Sequence, residues 1–248
     1  MNEADLILPD WPAPAGVRAA FTLRTGGVSR PPFDSCNIGA HVGDEVPAVE
    51  ENRRRLREYL ELPAEPAWLT QVHGSRVADL DEEGPGGPRW PADGAVTRTA
   101  GRVCGIQVAD CMPVLFASAD GRAIGAAHAG WRGLAGGVLE AVVAAMRAPP
   151  EGLSAWLGPA IGQGHFEVGE EVRAAFLAAD PQGAAAFTAS PRGRWQCDLY
   201  GLARRRLAAL GVRQVYGRNW CTYDDARRFF SYRRDGRCGR MAALIWRT

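Results

Sequence analysis

Apolar residues fall into short blocks along the chain, and the spacing within each block predicts strands and helices in mixed order. Continuously apolar runs predict buried strands at residues 103–117, with a turn at 109–111, and at residues 123–127 and 154–157. Looser patterns predict strands at residues 18–24, 68–72 and 241–246. Helical spacing predicts helices at residues 50–60, 138–146, 167–179 and 199–210. Because strands and helices do not alternate regularly, the chain is predicted to be α+β.

Length and composition are those of an ordinary globular protein. The chain has 248 residues, of which 46% are hydrophobic and 23% are charged. It contains no internal repeat and no low-complexity linker, so residues 1–248 are predicted to form a single domain. The most loop-like stretch is DEEGPGGPRWP at residues 81–91, which predicts an exposed loop.

The charged residues exclude several kinds of function. The 29 basic and 28 acidic residues give a net charge of +1, without the basic excess typical of nucleic-acid-binding proteins. No lysine occurs, so all 29 basic residues are arginine. Catalysis through a Schiff-base lysine and nucleotide binding by a P-loop lysine are therefore both excluded.

The N-terminal segment and the cysteines bear on the compartment. The first 16 residues are acidic and interrupted by prolines, unlike a signal peptide, and no apolar run reaches the ~18 residues of a membrane span. We therefore expect a cytoplasmic protein without a membrane partner. The six cysteines are then expected to be reduced thiols or metal ligands, and the absence of a CxxC pair argues against a zinc knuckle.

Two histidines and one cysteine stand next to predicted strands and form a candidate metal site. His73 and His128 follow predicted strands, and Cys111 lies in the turn between two buried runs. A His2Cys set leaves a fourth position open, as a catalytic zinc requires. The pattern alone also permits another interpretation, in which Cys111 is a small buried apolar residue and the two histidines are unrelated.

Arginines and one asparagine in glycine-rich loops are candidate substrate ligands. Arg132 lies in AHAGWRGLAGGVLE, where a strand, a glycine turn and a helix start would suit a phosphate or carboxylate; close strand–helix packing explains the pattern equally well. Arg24 in RTGGVS and Asn37 in SCNIG are candidates of the same kind, as are Arg233 and Arg234 in SYRRDG. The alternative for Asn37 is an Asx-turn, and the alternative for Arg233 and Arg234 is a solvated hairpin tip.

Longer motifs connect these segments. RTGGVSRPPFDSCNIGAHVGD, WLTQVHG, ADCMPVLF, AHAGWRGLAGGVLE, WLGPAIG and FFSYRRDGRCGRMA together resemble the YfiH-like family over residues 11–246. Members of that family carry the labels polyphenol oxidase, laccase-domain protein and purine nucleoside phosphorylase. The resemblance implies an α/β/β/α layered sandwich with mixed sheets and with the site in a cleft.

The resemblance also implies a site and a reaction. The zinc ligands would be His73, Cys111 and His128, which would also be the catalytic residues. The implied activities are phosphorolysis of adenosine, inosine and methylthioadenosine, and deamination of adenosine. We predict that Arg24, Asn37, Gln71 and Arg132 converge on the metal as substrate-binding residues. Gln71 is included because it precedes His73 by two positions and would share its face of a strand.

Other functions remain open at this point. A bacterial branch of the family is described as a peptidoglycan editing factor, an amide hydrolase that removes L-serine from a UDP-muramic acid precursor. Arg24, Arg233 and Arg234 would suit the diphosphate or carboxylate of such a ligand. A binding module with a structural zinc is a third possibility, against which the missing fourth ligand speaks. We expect no nucleic-acid partner, and a monomer or weak homodimer.

The label laccase conflicts with the histidine content. The chain has four histidines and no HxH pair, which is too few for a multicopper oxidase. A single Cu(II) can still occupy a His2Cys site in vitro, because copper outcompetes zinc at most nitrogen and sulfur ligands. Zinc is therefore the predicted cofactor.

Overall fold

The computed structural model describes residues 1–83, 90–218 and 220–248, so residues 84–89 of the predicted loop at 81–91 lie outside the described residues. The β-strands are β1 (Leu6–Ile7), β2 (Val17–Thr22), β3 (Ala67–Trp68), β4 (Val77–Asp79), β5 (Gly94–Thr97), β6 (Val103–Val108), β7 (Met112–Ser118), β8 (Ile124–Ala129), β9 (Leu153–Leu157), β10 (Glu167–Val168), β11 (Phe187–Ser190), β12 (Arg194–Cys197), β13 (Gln214–Tyr216) and β14 (Met241–Arg247). The α-helices are α1 (Val46–Tyr59), α2 (Trp131–Ala135), α3 (Val138–Ala145), α4 (Glu170–Leu177), α5 (Leu199–Ala209) and α6 (Tyr232–Asp235). Within the described ranges, no helix is long and apolar enough to cross a bilayer.

Two large sheets form the centre of the fold. The five-stranded sheet has the order β1-β2-β14-β6-β3, and the six-stranded sheet has the order β13-β9-β7-β8-β5-β4. Both are mixed, because β3, β4 and β13 run parallel to their neighbours while the other pairs are antiparallel. A separate three-stranded sheet, β10-β12-β11, is antiparallel throughout.

The side chains of β14 show how the layers are held together. Residues 241, 243 and 245 pack between the two large sheets, whereas residues 242, 244 and 246 pack on the opposite face with Leu56 of α1. This alternation is the period of two expected for a strand buried on both faces. On the far side of the six-stranded sheet, Val114 and Phe116 of β7 pack in one cluster with residues of α3, α4 and α5. The predicted α/β/β/α sandwich with mixed sheets is therefore confirmed.

Most predicted elements are present, and the differences have local causes. The strands on both sides of the turn at residues 109–111 are confirmed as β6 and β7. The strand predicted at residues 68–72 ends at Trp68, because the chain then leaves the five-stranded sheet and reaches β4 in the six-stranded sheet. Helix α1 begins at Val46, ahead of the predicted start, with a proline in its first turn. Helix α4 begins at Glu170 because residues 167–168 pair with β12.

Candidate metal centre and its cavity

The candidate site lies where the chain passes from one large sheet to the other. The turn at residues 109–111 connects β6 of the five-stranded sheet to β7 of the six-stranded sheet, and the segment between β3 and β4 makes the same passage. Cys111 lies in the first passage and His73 in the second. His128 lies inside β8, where it pairs with Pro113 two residues beyond Cys111. The topology and register therefore bring the three residues to one edge.

The three side chains lie within mutual reach of one ion. Their ligand atoms all lie within 4.8 Å of one another, and His73 Nε2 is 3.7 Å from Cys111 Sγ. The rings of His73 and His128 meet edge to face, with 4.8 Å between their centroids. Gly130 makes this approach possible, because a Cβ at that position would lie 2.8 Å from Cys111 Sγ. His128 is buried, Cys111 is half-buried and His73 is exposed, so the group opens towards solvent on one side.

Asp93 holds two of the three residues in place. Its fully buried carboxylate accepts the backbone N–H groups of Val72, His73 and Gly74 at 2.8–3.1 Å. The same carboxylate accepts His128 Nδ1–H at 2.8 Å. The three successive amides form a backbone nest around this anion. Burial by itself would raise the pKa of Asp93, but the hydrogen bond from His128 and those from the Gly74 and Val72 amides lower it. The bond to Nδ1 makes Nε2 the nitrogen of His128 that would bind a metal, which would displace its proton.

Two residues of the site have left-handed backbone conformations, which are uncommon for side chains other than glycine. The φ angles of His73 and Asp110 are +62° and +85°. Asp110 is buried, and its carboxylate accepts the Thr222 hydroxyl at 2.6 Å and the Arg233 backbone N–H at 2.7 Å. The Asp93 nest and the Asp110 contacts fix these two turns, and strained backbone of this kind is typical of functional sites.

Cys111 and His128 form a coupled acid–base pair. Burial alone would raise the pKa of the Cys111 thiol, but the charge and hydrogen bond of His128, followed by the contacts with His73, lower it to about 6. Burial opposes protonation of His128, yet the Cys111 thiolate and the Asp93 carboxylate raise the pKa of His128 to about 9. Cys111 is therefore a thiolate at neutral pH, the form of cysteine that binds metals.

These donors fit a transition metal of the zinc class. Two imidazoles and one thiolate are ligands that zinc prefers, and three protein ligands leave one position for substrate or water. The hydrogen bond from His128 to Asp93 is the carboxylate–histidine pairing that usually orients a metal-bound imidazole. Among the described residues, one further group of this kind occurs, formed by His165, Cys221 and Asp224.

A cavity of about 540 Å³ surrounds the candidate metal centre. This volume is within the range of small-molecule sites. Its walls contain the three candidate ligands and a set of arginine, glutamine and aromatic side chains: His41, Gln71, Gln107, Arg132, Phe166, Tyr232, Arg233 and Arg240. Arg132, Arg233 and Arg240 line this cavity together with Asp110 and apolar residues, so the cavity suits a ligand that has both an anionic and an apolar part.

The predicted substrate residues divide into two groups. Arg132 and Gln71 line the cavity, whereas Arg24 and Asn37 are absent from its walls. Arg132 stacks on Trp131, with its guanidinium carbon 4.5 Å from the ring centroid, and its side chain is exposed. Gln71 lies beyond the end of β3, so the shared strand face with His73 does not exist. Its amide pairs with both backbone groups of Gln107 at 2.8 Å.

Arg24 and Asn37 instead hold the loops near the cavity. The Arg24 guanidinium donates to the carbonyl groups of Asp34 and Ala226, both at 3.0 Å. Asn37 is fully buried and its Oδ1 accepts the backbone N–H of Arg240 at 2.8 Å. Asn37 therefore acts on the cavity indirectly, because Arg240 is one of the wall residues. The convergence predicted for these two residues fails, since their polar atoms are used by the loops.

Several site residues were not predicted from the sequence. Asp93 and Gln107 lie outside the family motifs, whereas His41 and Arg240 lie inside AHVGD and GRMA but have no feature there that marks them as site residues. One feature of the sequence could have indicated Asp93: its carboxylate immediately precedes the apolar run GAVT. An unpaired charge next to a buried strand would be costly, so a partner could have been expected. Gln107 has another unusual property, because its Oε1 is buried without a hydrogen-bond partner in the described structure. Of the two arginines in SYRRDG, Arg233 lines the cavity, whereas Arg234 donates to the carbonyls of residues 222, 223 and 229.

The fold and the site define a class of protein: an α/β/β/α sandwich with a His2Cys group in a cavity at the edge of its two large sheets. The model of the family described as "Multi-copper polyphenol oxidoreductase laccase" matches residues 18–248, and the chain belongs to this family, the YfiH family. It is 52% identical to "Purine nucleoside phosphorylase YfiH" of Escherichia coli over 241 residues, 97% of this chain and 98% of that protein. A relative from Pseudomonas aeruginosa, also named purine nucleoside phosphorylase, is 53% identical, with 97% of each chain covered.

Solved structures of the family have the same fold. A Neisseria meningitidis protein matches with a TM-score of 0.94 and 47% identity, covering 98% of this chain and 99% of its own. YlmD of Geobacillus stearothermophilus matches with a TM-score of 0.91 and 33% identity, covering 100% of this chain and 97% of its own.

Replacing Asp93 by asparagine is expected to weaken metal binding as well as stability. An asparagine cannot accept all four hydrogen bonds, so unfolding free energy should fall by about 1–3 kcal/mol. Zinc affinity should fall by about 10–100-fold, the usual effect of replacing a residue that hydrogen-bonds to a metal-binding histidine. Zinc titration with a competing chelator measures this. The control is Asp81→Asn, whose carboxylate binds the Arg98 backbone N–H outside the cavity. A folded Asp93→Asn protein with unchanged zinc affinity would contradict the assignment.

The lowered pKa of Cys111 predicts a pH profile for its alkylation. In protein stripped of metal, the rate with iodoacetamide should rise about tenfold per pH unit below the pKa of about 6 and level off above it, because only the thiolate reacts. Added zinc should protect Cys111. Burial raises the pKa of Cys36 and Cys197 to about 12, so these thiols should react slowly. Peptide mapping at each pH separates the sites, and a midpoint near the ordinary value of ~8.5 would refute the coupling to His128.

Proposed function

We propose that this protein is a zinc-dependent purine nucleoside phosphorylase acting on adenosine, inosine and methylthioadenosine, with adenosine deaminase activity. The observation that carries the proposal is a single cavity that combines the His73–Cys111–His128 group with arginine side chains. The relatives named purine nucleoside phosphorylase support the choice of reaction. The cavity volume of about 540 Å³ suits a ligand the size of a nucleoside.

The metal would be held by His73, Cys111 and His128. A bound zinc would supply Lewis acidity, stabilising negative charge that develops on a substrate oxygen. Around it, Asp93 keeps the Nδ1 proton of His128 in place and therefore keeps Nε2 directed into the group. The same carboxylate holds the backbone of His73, so both imidazoles are oriented by one buried anion. The site is thus organised before the substrate binds, which reduces the cost of reaching the transition state.

Phosphorolysis needs phosphate on one side of the ribose and a departing base on the other. A phosphate oxygen bonds to the anomeric carbon, the bond to the purine nitrogen breaks, and its electron pair leaves with the purine, which takes up a proton. Arg132 is the best candidate to hold the phosphate, because its exposed guanidinium faces the cavity and has no hydrogen-bond partner in the described structure. Arg240 and the neighbouring Tyr232 also line the cavity and are suited to contact the nucleoside.

His41 adds a neutral polar group to this cavity. Burial and the nearby charges of Arg240 and Arg53 lower the pKa of its imidazole. His41 is therefore uncharged at neutral pH and can both donate and accept a hydrogen bond. A purine offers both kinds of partner along its edge, so a neutral histidine suits it better than another cation.

A second candidate function is hydrolysis of the amide that attaches L-serine in a UDP-linked cell-wall precursor. One observation favours it: a neighbouring cavity of about 450 Å³ shares His41, Tyr232 and Arg240 with the first and adds Arg237. The combined space is larger than a nucleoside needs, and its arginines would suit a diphosphate or carboxylate. A copper-dependent polyphenol oxidase is disfavoured, because the chain has only four histidines.

Replacing Cys111 by alanine tests the proposed reaction. The variant should lose at least about 10³-fold in kcat/KM for phosphate-dependent release of adenine from adenosine, because one of three metal ligands is missing. Its unfolding free energy should stay within about 1 kcal/mol of the parent, since an open metal site contributes little to a core of this size.

Cys104→Ala is the matched control, since this thiol is buried in β6 away from the cavity and should leave activity unchanged. Full activity of Cys111→Ala would refute the proposal. Serine release from the precursor by a parent enzyme that is inactive on nucleosides would favour the second candidate.

The assignment of phosphate to Arg132 gives a separate prediction. Arg132→Ala should raise the KM for phosphate by about 10–100-fold, the value of a lost charge-assisted hydrogen bond, and should spare deamination, which uses water. The exposed Arg213 lies outside the cavity walls, so Arg213→Ala is the control. Equal losses in phosphorolysis and deamination would remove Arg132 from the phosphate site.

A further inference from the structure

A second group of metal-binding side chains lies on the outer side of the cavity wall. It consists of His165, Cys221 and Asp224 and shares no residue with the first group. His165 ends a short 3-10 helix before β10, whereas Cys221 and Asp224 come from the turn that precedes α6. An isolated bridge between Ala160 and Cys221 joins the two segments. The group therefore connects parts of the chain that are more than 50 residues apart in sequence.

The three ligand atoms are already close together. They lie within 4.8 Å of one another, and His165 Nε2 is 2.6 Å from Asp224 Oδ1. The His165 ring stacks on Tyr223 at 4.2 Å and 11°, which fixes its orientation. The Cys221 sulfur accepts the Gly162 backbone N–H at 3.3 Å, which fixes its position.

We propose that His165, Cys221 and Asp224 form a second zinc-class metal site. Imidazole nitrogen, thiolate sulfur and carboxylate oxygen are the three ligand types that zinc accepts. A divalent ion would take the place of the Cys221 thiol proton, which is released to solvent, and His165 would bind the ion through Nε2 with its ring proton moved to Nδ1. The side chains of His165 and Asp224 are 37% and 61% exposed, so an ion reaches the group without any rearrangement of the core.

The position of this second site gives it a structural consequence. Arg233, a wall residue of the cavity, donates to the backbone carbonyl of Glu167 at 3.0 Å and packs over Phe166. A metal bound to His165 would fix this segment to the turn at residues 221–224. The second site is thus suited to stabilise one wall of the cavity without contacting the substrate.

Cobalt titration of the metal-stripped full chain tests the proposal, because Co²⁺ bound to a thiolate gives a charge-transfer absorption band. The parent protein should take up two equivalents of Co²⁺ with thiolate ligation. Cys111→Ala should retain one of them, and Cys221→Ser should retain the other. In the Cys111→Ala background, Asp224→Asn should lower the affinity for the remaining Co²⁺ by at least about tenfold. A loss of this size is already seen when a residue that only hydrogen-bonds to a metal ligand is replaced.

Asp225→Asn is the matched control for charge, because the neighbouring Asp225 carboxylate binds Arg228 instead. It should leave both equivalents unchanged. If Cys221→Ser fails to fold, His165→Gln replaces it, since this partly exposed ring is not in the core. Two results would overturn the second site. In the first, the parent binds only one equivalent of Co²⁺ and Cys111→Ala binds none. In the second, the parent binds two equivalents, and Cys221→Ser and His165→Gln also bind both with the affinity of the parent. One equivalent that only Cys221→Ser abolishes would support the second site and contradict the first.

Discussion

The candidate site depends on one buried anion, the carboxylate of Asp93. It immediately precedes β5, is fully buried, and accepts three hydrogen bonds from the segment between β3 and β4 and one from His128 in β8. A buried carboxylate without these partners would cost several kcal/mol, so the fold and the site stabilise each other here. The left-handed backbone of His73 is one result, and the fixed orientation of His128 is another. Two of the three candidate metal ligands are thus oriented by the same contacts that satisfy a core charge.

A layer of polar contacts outside the ligands shapes the rest of the cavity. Gln71 pairs with the backbone of Gln107, Asn37 accepts the backbone N–H of Arg240, and Asp110 accepts that of Arg233. In each pair, one side chain positions a cavity residue that is distant in sequence. These contacts explain why polar residues in the family motifs need not touch a ligand. They support Arg233 and Arg240 at the backbone, and the guanidinium groups of these two arginines donate to backbone carbonyl groups.

The description of the family and the chemistry of this chain differ. A multicopper oxidase needs many imidazoles, whereas this chain has four, and only His73 and His128 belong to the candidate centre. One thiolate and two imidazoles fit a single zinc-class ion in a cavity with cationic walls. That arrangement is suited to polarising a polar substrate and holding an anion, which is the chemistry of group transfer. The names of the relatives from Escherichia coli and Pseudomonas aeruginosa agree with this direction.

The sequence by itself determined the elements that depend on local patterns. The continuous apolar runs predicted β6, β7, β8 and β9, because strands buried on both faces have no polar side. The candidate ligands His73, Cys111 and His128 were predicted from motifs and resemblance, and the tertiary structure supplied their closeness. Only the tertiary structure decided where polar side chains act: it turned Arg24 and Asn37 towards backbone groups, and it placed Asp93, His41 and Arg240 at the site. The physical reason is that a hydrogen-bond partner is chosen by distance in space, and residues as far apart as Asn37 and Arg240, 203 positions, meet only after the sheets have packed.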